Sequence, residues 1–297
     1  MESRAPNKDD YETAATLLGK IYWEAAARFR DCWGTPSELE THIFQLGENT
    51  GVQTILRGEE FIVCYISFEV DPESHELLEE LDKNLEPYIG DAKPGALFVN
   101  INGENKSIVE HYDKAGFRKD KEALEYTFKK KDWPRAKLDQ DIEKRDFVDD
   151  DFNDYLWLLD TAYRPVLLED GLTPDPHRRN LKRTYSVLKS AHEMGDFMAY
   201  WKGDSIIGLY LLRDNMLLEI AVAPVYQGMG IGTAILSEIL HLMVKERGLD
   251  QVLLYVSRSN DIAISLYEKM GFCRTASHAD FTHVPPENPQ PGNLNKS

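Results

Sequence analysis

A glycine-rich turn between an apolar strand and an amphipathic helix constrains the fold of this chain more than any other segment. The turn spans residues 222–234 and reads Val-Ala-Pro-Val-Tyr-Gln-Gly-Met-Gly-Ile-Gly-Thr-Ala. Residues 216–221 before it are typical of a strand, and residues 235–247 after it place apolar side chains at helical spacing. Backbone amides converge in such a turn, and the dipole of the following helix adds positive character. The sequence therefore predicts a phosphate-binding loop.

The spacing of the glutamine and the glycines distinguishes this loop from other nucleotide-binding turns. A Walker loop requires Gly-Lys-Ser/Thr, which is absent here, and a Rossmann fingerprint requires Gly-x-Gly-x-x-Gly at the start of a βαβ unit. The segment Gln227-x-x-Gly230-x-Gly232 instead resembles motif A of the Gcn5-related N-acetyltransferases, the GNAT family. In that family the loop binds the pyrophosphate of acetyl-CoA, so the resemblance implies acetyl-CoA as the acetyl donor.

A second motif follows at the distance that the family shows. Residues 251–257 read as a buried strand, and residues 260–272 are similar to GNAT motif B, Asn-x-x-Ala-x-x-Leu-Tyr-x-x-x-Gly-Phe. We expect Asn260 to cap or flank the helix, Leu266 to face the sheet and Gly271 to end the helix in a left-handed conformation. An ordinary amphipathic helix with a glycine cap explains Leu266 and Gly271 equally well. It does not explain two motifs in this order.

The first half of the chain contains a second copy of motif B. Asn105 precedes Tyr112 by the same seven residues that separate Asn260 from Tyr267, and a Gly-Phe pair follows in the same register. The two copies lie about 155 residues apart, which indicates a tandem duplication.

The first copy lacks motif A. Residues 61–70 continue into Asp-Pro-Glu-Ser-His, a turn without glycine whose acidic residues would repel a pyrophosphate. We therefore predict a degenerate GNAT domain in which Asn105 and Tyr112 are packing remnants and not catalytic groups.

The two motifs and the repeat together predict the domain organisation. The expected fold class is α/β (α+β), with two tandem GNAT (acyl-CoA N-acyltransferase) folds, each a mixed central sheet flanked by helices. We expect a degenerate domain at residues 1–132, a catalytic acetyl-CoA-binding domain at 133–284 and a disordered tail at 285–297. A charged linker, interrupted by Pro134, is expected at residues 130–135.

Hydrophobic periodicity predicts the individual elements. Helices are expected near residues 11–30, 37–46, 74–85, 151–163 and 177–192, besides those of the motifs. Strands are expected near residues 52–56, 61–70, 96–101, 124–129, 141–145, 197–201, 206–212 and 216–222.

The charge of the chain bears on its partners. The formal net charge is −17, and residues 1–150 hold 33 of the 51 acidic residues but 20 of the 34 basic ones. An acidic surface of this size disfavours nucleic acid and anionic membranes and attracts cations. A general contribution to solubility is the alternative explanation.

Other classes of protein find little support in the sequence. No apolar run is long enough to span a membrane, and the first residues do not resemble a secretory signal. Three cysteines without CxxC spacing, Cys32, Cys64 and Cys273, indicate reduced thiols in a cytoplasmic protein. The histidines do not cluster at metal-ligand spacing, so we expect no metal.

The resemblance to the family implies a set of site residues. Tyr267 occupies the position of the general acid that protonates the departing CoA thiolate, although a packed aromatic residue is the alternative. Glu219 is the first candidate for the general base, against the alternative of a polar residue on the solvent face of its strand. The Val222 amide is expected to polarise the thioester carbonyl. The expected cofactor-binding residues are Ile220, Ala221, Val222, Gln227, Gly228, Met229, Gly230, Ile231, Gly232, Thr233, Asn260 and Tyr267.

These features predict direct acetyl transfer to a primary amine, without a covalent enzyme intermediate. The tandem, acidic organisation resembles GNAT self-resistance enzymes for amine-rich antibiotics such as paenilamicin, zwittermicin and edeine. We therefore expect a cationic small molecule or peptide-like antibiotic as acceptor, with the degenerate domain as a wall of its site. A protein or peptide N-acetyltransferase, a mycothiol-synthase-like enzyme acting on a small biosynthetic amine, and a non-catalytic acetyl-CoA sensor remain alternatives. The acceptor and the oligomeric state stay open.

Overall fold

The chain forms two compact units, each built on a mixed sheet flanked by helices. The structure is a computed structural model that describes residues 1–35, 37–91 and 95–284. Unit 1 comprises Met1–Glu122 together with the described segment from Ala276, and unit 2 comprises Ala123–Thr275. The predicted tail, residues 285–297, lies outside the described residues. Within them, no helix combines the length and the apolar character needed to cross a bilayer.

Unit 1 has a six-stranded sheet in the order β1-β2-β3-β4-β5-β12, and only β4 and β5 are parallel. Its strands are β1 Glu2–Arg4, β2 Leu39–Leu46, β3 Asn49–Arg57, β4 Ile62–Phe68, β5 Leu97–Asn102 and β12 Cys273–Thr282. Its helices are α1 Asp10–Gly19, α2 Trp23–Cys32, α3 His75–Asp91 and α4 Lys106–Lys114.

Unit 2 repeats this plan in the order β7-β8-β9-β10-β11-β6, and only β10 and β11 are parallel. Its strands are β6 Arg118–Phe128, β7 Ile142–Arg145, β8 Phe197–Lys202, β9 Ser205–Arg213, β10 Met216–Val222 and β11 Val252–Ser257. Its helices are α5 Phe152–Glu169, α6 Pro176–Arg179, α7 Leu181–Glu193, α8 Ile231–Leu240 and α9 Asp261–Met270.

The last strand of each sheet comes from an unexpected part of the chain. Strand β6 follows α4 of unit 1 in sequence, but from Ala123 onward it belongs to unit 2 and pairs with β11. Strand β12 follows α9 of unit 2, but from Ala276 onward it belongs to unit 1 and pairs with β5. The compact units therefore differ from the predicted ranges 1–132 and 133–284.

Two sequence predictions of local structure are wrong. The helix expected over residues 37–46 is strand β2. Its residues Ile43 and Phe44 are both buried, on opposite faces of the sheet, and consecutive apolar residues in a strand that is covered on both faces also fit a helix. The single helix expected near residues 11–30 is divided into α1 and α2.

The segment expected to be a linker is partly built into unit 2. Trp133 is buried, and its indole Nε1 donates to the carbonyl oxygen and to Oγ of Ser237 on α8, each at 3.2 Å. The ring packs against Phe128 of β6. Residues 130–135 therefore include an anchor of the second core.

Candidate active site

The parallel strands β10 and β11 separate after Leu217 of β10 and Leu254 of β11. They pair only at Met216 with Leu253 and at Leu217 with Leu254, and an irregularity in β10 then lies between Leu217 and Glu219. Beyond it, β10 remains paired with β9 as far as Val222. One edge of β10 is therefore left open, and a cleft of about 450 Å³ lies beside it.

The lining of this cleft combines both sequence motifs with helix α5. From α5 and β10 it takes Ala162, Tyr163, Pro165, Val166, Ile220 and Val222. From the glycine-rich loop and the start of α8 it takes Gln227, Gly228, Gly230, Gly232 and Thr233. From motif B it takes Asn260, Ile262, Ala263, Ser265, Leu266, Tyr267 and Lys269.

The glycine-rich loop has the geometry of an anion site. Gly228 and Gly230 have φ of 76° and 83°, in the left-handed region that favours glycine, and the space where a Cβ would stand is open at both. Helix α8 begins at Ile231, with Gly230 at its N-cap. Within the described residues, the amides of residues 228–233 have no hydrogen-bond acceptor. Six free amides at a helix N-terminus can hold a phosphate.

The open edge of β10 is occupied in part by side chains. The Tyr163 hydroxyl donates to the Ile220 carbonyl oxygen at 3.2 Å and accepts from the Ile220 amide at 3.3 Å. The Gln227 side-chain amide donates to the Val222 carbonyl oxygen at 2.9 Å. The Ala223 amide donates toward β9, and amides alternate in direction along a strand. The Val222 amide therefore points to the cleft edge.

Motif B has the helix caps that its sequence predicts. Asn260 caps α9, where its Oδ1 accepts from the Ala263 amide at 3.1 Å, and Gly271 ends the helix with φ of 98°. Leu266 packs against the core of unit 2. Tyr267 is 6% exposed, and its hydroxyl has no hydrogen-bond partner in the part of the chain that the structure describes. Burial, and next the charge of Glu219, raise the pKa of this hydroxyl above its ordinary value.

Glu219 lies close to both tyrosines of the cleft. Burial raises the pKa of its carboxyl above the ordinary value, while its interaction with the Tyr163 hydroxyl and the positive charge of His177 oppose that rise. The side chain is 29% exposed. A carboxyl in this environment is a stronger proton acceptor than an exposed one, which suits a general base.

Two residues that no sequence motif marks complete the site. The imidazole of His177 lies with Nε2 4.0 Å from Oε1 of Glu219 and with Nδ1 2.8 Å from Oδ1 of the buried Asp160. Seventeen residues separate Asp160 from His177, so only the packing of α5 against α6 brings them together. The sequence also gives no indication that Tyr163 belongs to the site, because a tyrosine in an amphipathic helix is most simply explained by packing.

The predicted cofactor-binding residues divide into two groups. Those in the cleft lining are Ile220, Val222, Gln227, Gly228, Gly230, Gly232, Thr233, Asn260 and Tyr267. The side chains of Ala221, Met229 and Ile231 lie elsewhere. Ala221 is buried in the core on the other face of the sheet, Met229 is 68% exposed, and Ile231, the first residue of α8, packs against the core of unit 2.

The corresponding position in unit 1 is closed. Strands β4 and β5 stay paired from Ile62 to Ile66, so no gap opens between them. The Asn105 side chain accepts from the Phe68 amide at 2.8 Å and donates to its carbonyl oxygen at 3.4 Å, which occupies the end of β4. Asp71 accepts from the Ser107 amide in the first turn of α4. A carboxylate there excludes a phosphate.

Comparison with known proteins agrees with this geometry. Residues 143–272 match the profile of the acetyltransferase (GNAT) family. The crystal structure of a Gcn5-related N-acetyltransferase from Sphaerobacter thermophilus is similar over 95% of both chains, with a TM-score of 0.55 and 18% identity, which shows a shared fold. The expected mixed α/β fold is therefore confirmed, and residues 143–272 are the part of the chain that is similar to the acetyltransferase (GNAT) family.

Two curated relatives are similar over a shorter stretch. The mycothiol acetyltransferase of Salinispora tropica is 40% identical over 69 residues, which cover 23% of this chain and 22% of the relative. The mycothiol acetyltransferase of Corynebacterium glutamicum is 30% identical over 88 residues, 28% of this chain and 30% of the relative. The chain thus matches between a fifth and a third of the length of these two relatives.

Proposed function

We propose that unit 2 is an acetyl-CoA-dependent N-acetyltransferase that transfers the acetyl group directly to a primary amine. The observation that carries this proposal is the separation of β10 from β11 after Leu217. This separation leaves a cleft that is lined by the glycine-rich loop and by Tyr267. Glu219 lies close enough to Tyr267 for its charge to affect the tyrosine hydroxyl.

The residues of the cleft fit acetyl-CoA. The free amides of residues 228–233 would hold the pyrophosphate, and the edge of β10 at Ile220 and Val222 would pair with the pantetheine arm. The Val222 amide would then donate to the thioester carbonyl oxygen as negative charge develops on it. Half-buried Val166 and Leu266 give the arm an apolar wall.

The two titratable groups have complementary tasks. Glu219 accepts a proton from the substrate ammonium, and the free amine attacks the thioester carbonyl carbon. The tetrahedral intermediate loses its second nitrogen proton to water and collapses with cleavage of the C–S bond, and Glu219 returns the first proton to solvent. Tyr267 gives its proton to the sulfur and regains one from solvent, so each turnover releases one amide, one CoA thiol and one proton.

Direct transfer needs no enzyme nucleophile. None of the three cysteines lines the cleft: Cys32 and Cys64 belong to unit 1, and Cys273 is exposed. Direct attack also takes advantage of the high effective concentration of an amine held against the thioester.

For the acceptor we propose a cationic amine, of the kind found in amine-rich peptide-like antibiotics. The support is the net charge of −17 and the carboxylate of Glu219 beside the cleft. Such an acceptor would show weaker binding as ionic strength rises, because screening shortens the reach of surface charge.

A second candidate acceptor is a small biosynthetic amine. The observation that favours it is the similarity of a segment of this chain to mycothiol acetyltransferases. A protein N-terminus or lysine would require the same two titratable groups, whereas a sensor of acetyl-CoA would require only the loop.

The test is release of CoA thiol from acetyl-CoA by the full chain, with a panel of amines. The panel contains spermidine, aminoglycosides, amine-rich peptide antibiotics, small monoamines and peptides with free N-termini. Release with polycations that declines with salt supports the first acceptor, and release with the small monoamines alone supports the second. Acetyl-CoA binding without release on any amine contradicts the proposed activity.

A further inference from the structure

A buried carboxylate holds His177 in place. Asp160, 3% exposed in the middle of α5, accepts from the amides of His177 and Arg178 at 3.1 and 3.2 Å. It also accepts from Nδ1 of the His177 ring at 2.8 Å. Three N–H donors converge on one carboxylate, which fixes both the backbone and the ring of the histidine.

The chain around His177 is shaped to present it. Asp175 has φ of 60°, a left-handed conformation that is uncommon outside glycine, and Pro176 then begins the short helix α6. Arg164 of α5 holds the carboxylate of Asp175 at 2.8 and 2.9 Å. The His177 side chain is 18% exposed, so its ring is shielded from most of the solvent.

The other ring nitrogen faces the proposed base. Nε2 of His177 lies 4.0 Å from Oε1 of Glu219, a separation that a small side-chain rotation or one bridging water converts into a hydrogen bond. Each ring nitrogen thus faces a carboxylate. A histidine between two acceptors is best satisfied as the imidazolium, which donates from both nitrogens.

We propose that Asp160 and His177 are positioning residues that keep Glu219 ionised. This inference rests on the proposed function, in which Glu219 is the general base. Asp160 holds the imidazolium, and the imidazolium is the counter-ion that offsets the cost of burying the Glu219 carboxylate. Neither residue transfers a group or enters a covalent step.

The other groups that face Glu219 do not substitute for His177. Among the residues that the structure describes, the other titratable groups beside Glu219 are Tyr163 of α5 and Tyr267 of α9, and both are hydroxyls without positive charge. Behind the ring, Nε of Arg178 lies 3.7 Å from Oδ2 of Asp160 and adds positive charge there. Loss of the imidazolium therefore raises the pKa of Glu219, and the base becomes protonated at a higher pH.

The first test is the pH profile of kcat/KM for CoA release, with spermidine as the acceptor probe or the panel amine with the highest rate. His177→Gln and Asp160→Asn should move the acid limb to higher pH by at least about half a pH unit, since opposite charges at such distances shift a carboxyl strongly. Above the displaced limb, the rate should return to within about twofold of the wild type because the base itself is intact. The dissociation constant for acetyl-CoA should not change.

The matched control is His241→Gln, the same substitution at an exposed histidine beyond α8 that does not line the cleft. In His241→Gln, the acid limb of the kcat/KM profile should lie at the same pH as in the wild type. A rate loss that is equal at every pH in His177→Gln would mean a merely structural role and would overturn the inference.

A second test needs no acceptor. The free energy of unfolding is measured at pH 7 for His177→Gln, Glu219→Gln and the double variant. Coupled charges predict that the double variant loses less stability than the sum of the two single losses. Additive losses would overturn the inference, even if the wild type acetylates amines. Conversely, absence of turnover by the wild type with a non-additive cycle would contradict the proposed function alone.

Discussion

The hydroxyl of Tyr163 hydrogen-bonds to both backbone groups of Ile220, at 3.2 Å to the carbonyl oxygen and 3.3 Å to the amide. These groups lie on the edge of β10 from which β11 has separated. A strand-like pantetheine arm would need the same edge. Because one N–H makes one strong hydrogen bond, binding of acetyl-CoA in that way requires the Tyr163 hydroxyl to leave the Ile220 amide.

Tyr163→Phe should therefore separate stability from cofactor binding. The free chain loses both bonds to Ile220, so its free energy of unfolding should fall by about 1 kcal/mol. The dissociation constant for acetyl-CoA, measured by calorimetry, should stay the same or fall, since the competing hydroxyl is gone. A dissociation constant that rises by about tenfold or more would mean that Tyr163 binds the cofactor directly.

A matched pair of glycine substitutions tests the phosphate-binding loop. Gly230 and Gly248 have φ of 83° and 69°, and neither has an atom within 4 Å of an added Cβ. Alanine at either position should cost about 1–2 kcal/mol of stability through backbone strain.

Only Gly230→Ala should also weaken the binding of acetyl-CoA, by about tenfold or more, because it adds a methyl group to a residue that lines the cleft at the start of α8. Gly248 lies outside the cleft lining, so Gly248→Ala should bind as the wild type does. Equal losses of affinity in the two variants would mean that the loop does not hold the pyrophosphate.

The carboxyl of Glu219 should give the free chain a specific dependence of stability on pH. Its pKa is raised on folding, mainly by burial, so the folded chain holds this proton more tightly than the unfolded chain. The stabilising contribution of this proton is therefore fully present at a pH below the ordinary pKa of glutamate. It is lost as the pH rises through the raised pKa of Glu219 in the folded chain.

Glu219→Gln should remove this loss of stability with rising pH. Urea unfolding of the variant and the wild type at pH 4 and pH 8 measures the free energy of unfolding at each pH. The same variant should lower kcat by about 10²-fold or more. A stability difference between the two pH values that matches the wild type would contradict the burial of the carboxyl.

The closed strands of unit 1 predict one acetyl-CoA site in each chain. Five paired residues of β4 and β5 and the Asn105 side chain occupy the place of the cleft. Calorimetric titration should give a stoichiometry of one. A stoichiometry of two would mean that unit 1 opens and retains a functional site.

The sequence predicts the parts of this site that depend on local conformation. Gly230 and Gly271 have the left-handed backbone that their motifs require, and Asn260 caps its helix as expected. Asn105 begins α4 with φ and ψ of −87° and 69°, close to the −84° and 67° of Asn260, in agreement with the repeat. Such features are determined by a few neighbouring residues, which is why a motif can reveal them.

Other features depend on contacts between distant segments. One such feature is the irregularity between Leu217 and Glu219, where the cleft opens. It depends on the position of β10 between the antiparallel strand β9 and the parallel strand β11. The exchange of β6 and β12 leaves no trace in periodicity, because either strand fits either sheet edge. From the sequence, Arg164 one helical turn later is the obvious partner of Asp160, but Arg164 binds Asp175, so the sequence does not reveal the bond of Asp160 to His177.

In the proposed reaction Tyr267 protonates the leaving thiolate in unit 2, and the repeat supplies a control residue. Tyr112 is the equivalent tyrosine of unit 1, is fully buried and does not line the cleft. The decisive measurement is the rate of CoA release by Tyr267→Phe and Tyr112→Phe with the best acceptor of the panel. We expect a loss of about 10²-fold or more for Tyr267→Phe alone, with unchanged affinity for acetyl-CoA, and full activity in Tyr112→Phe. Full turnover by Tyr267→Phe would mean that Tyr267 is not the general acid.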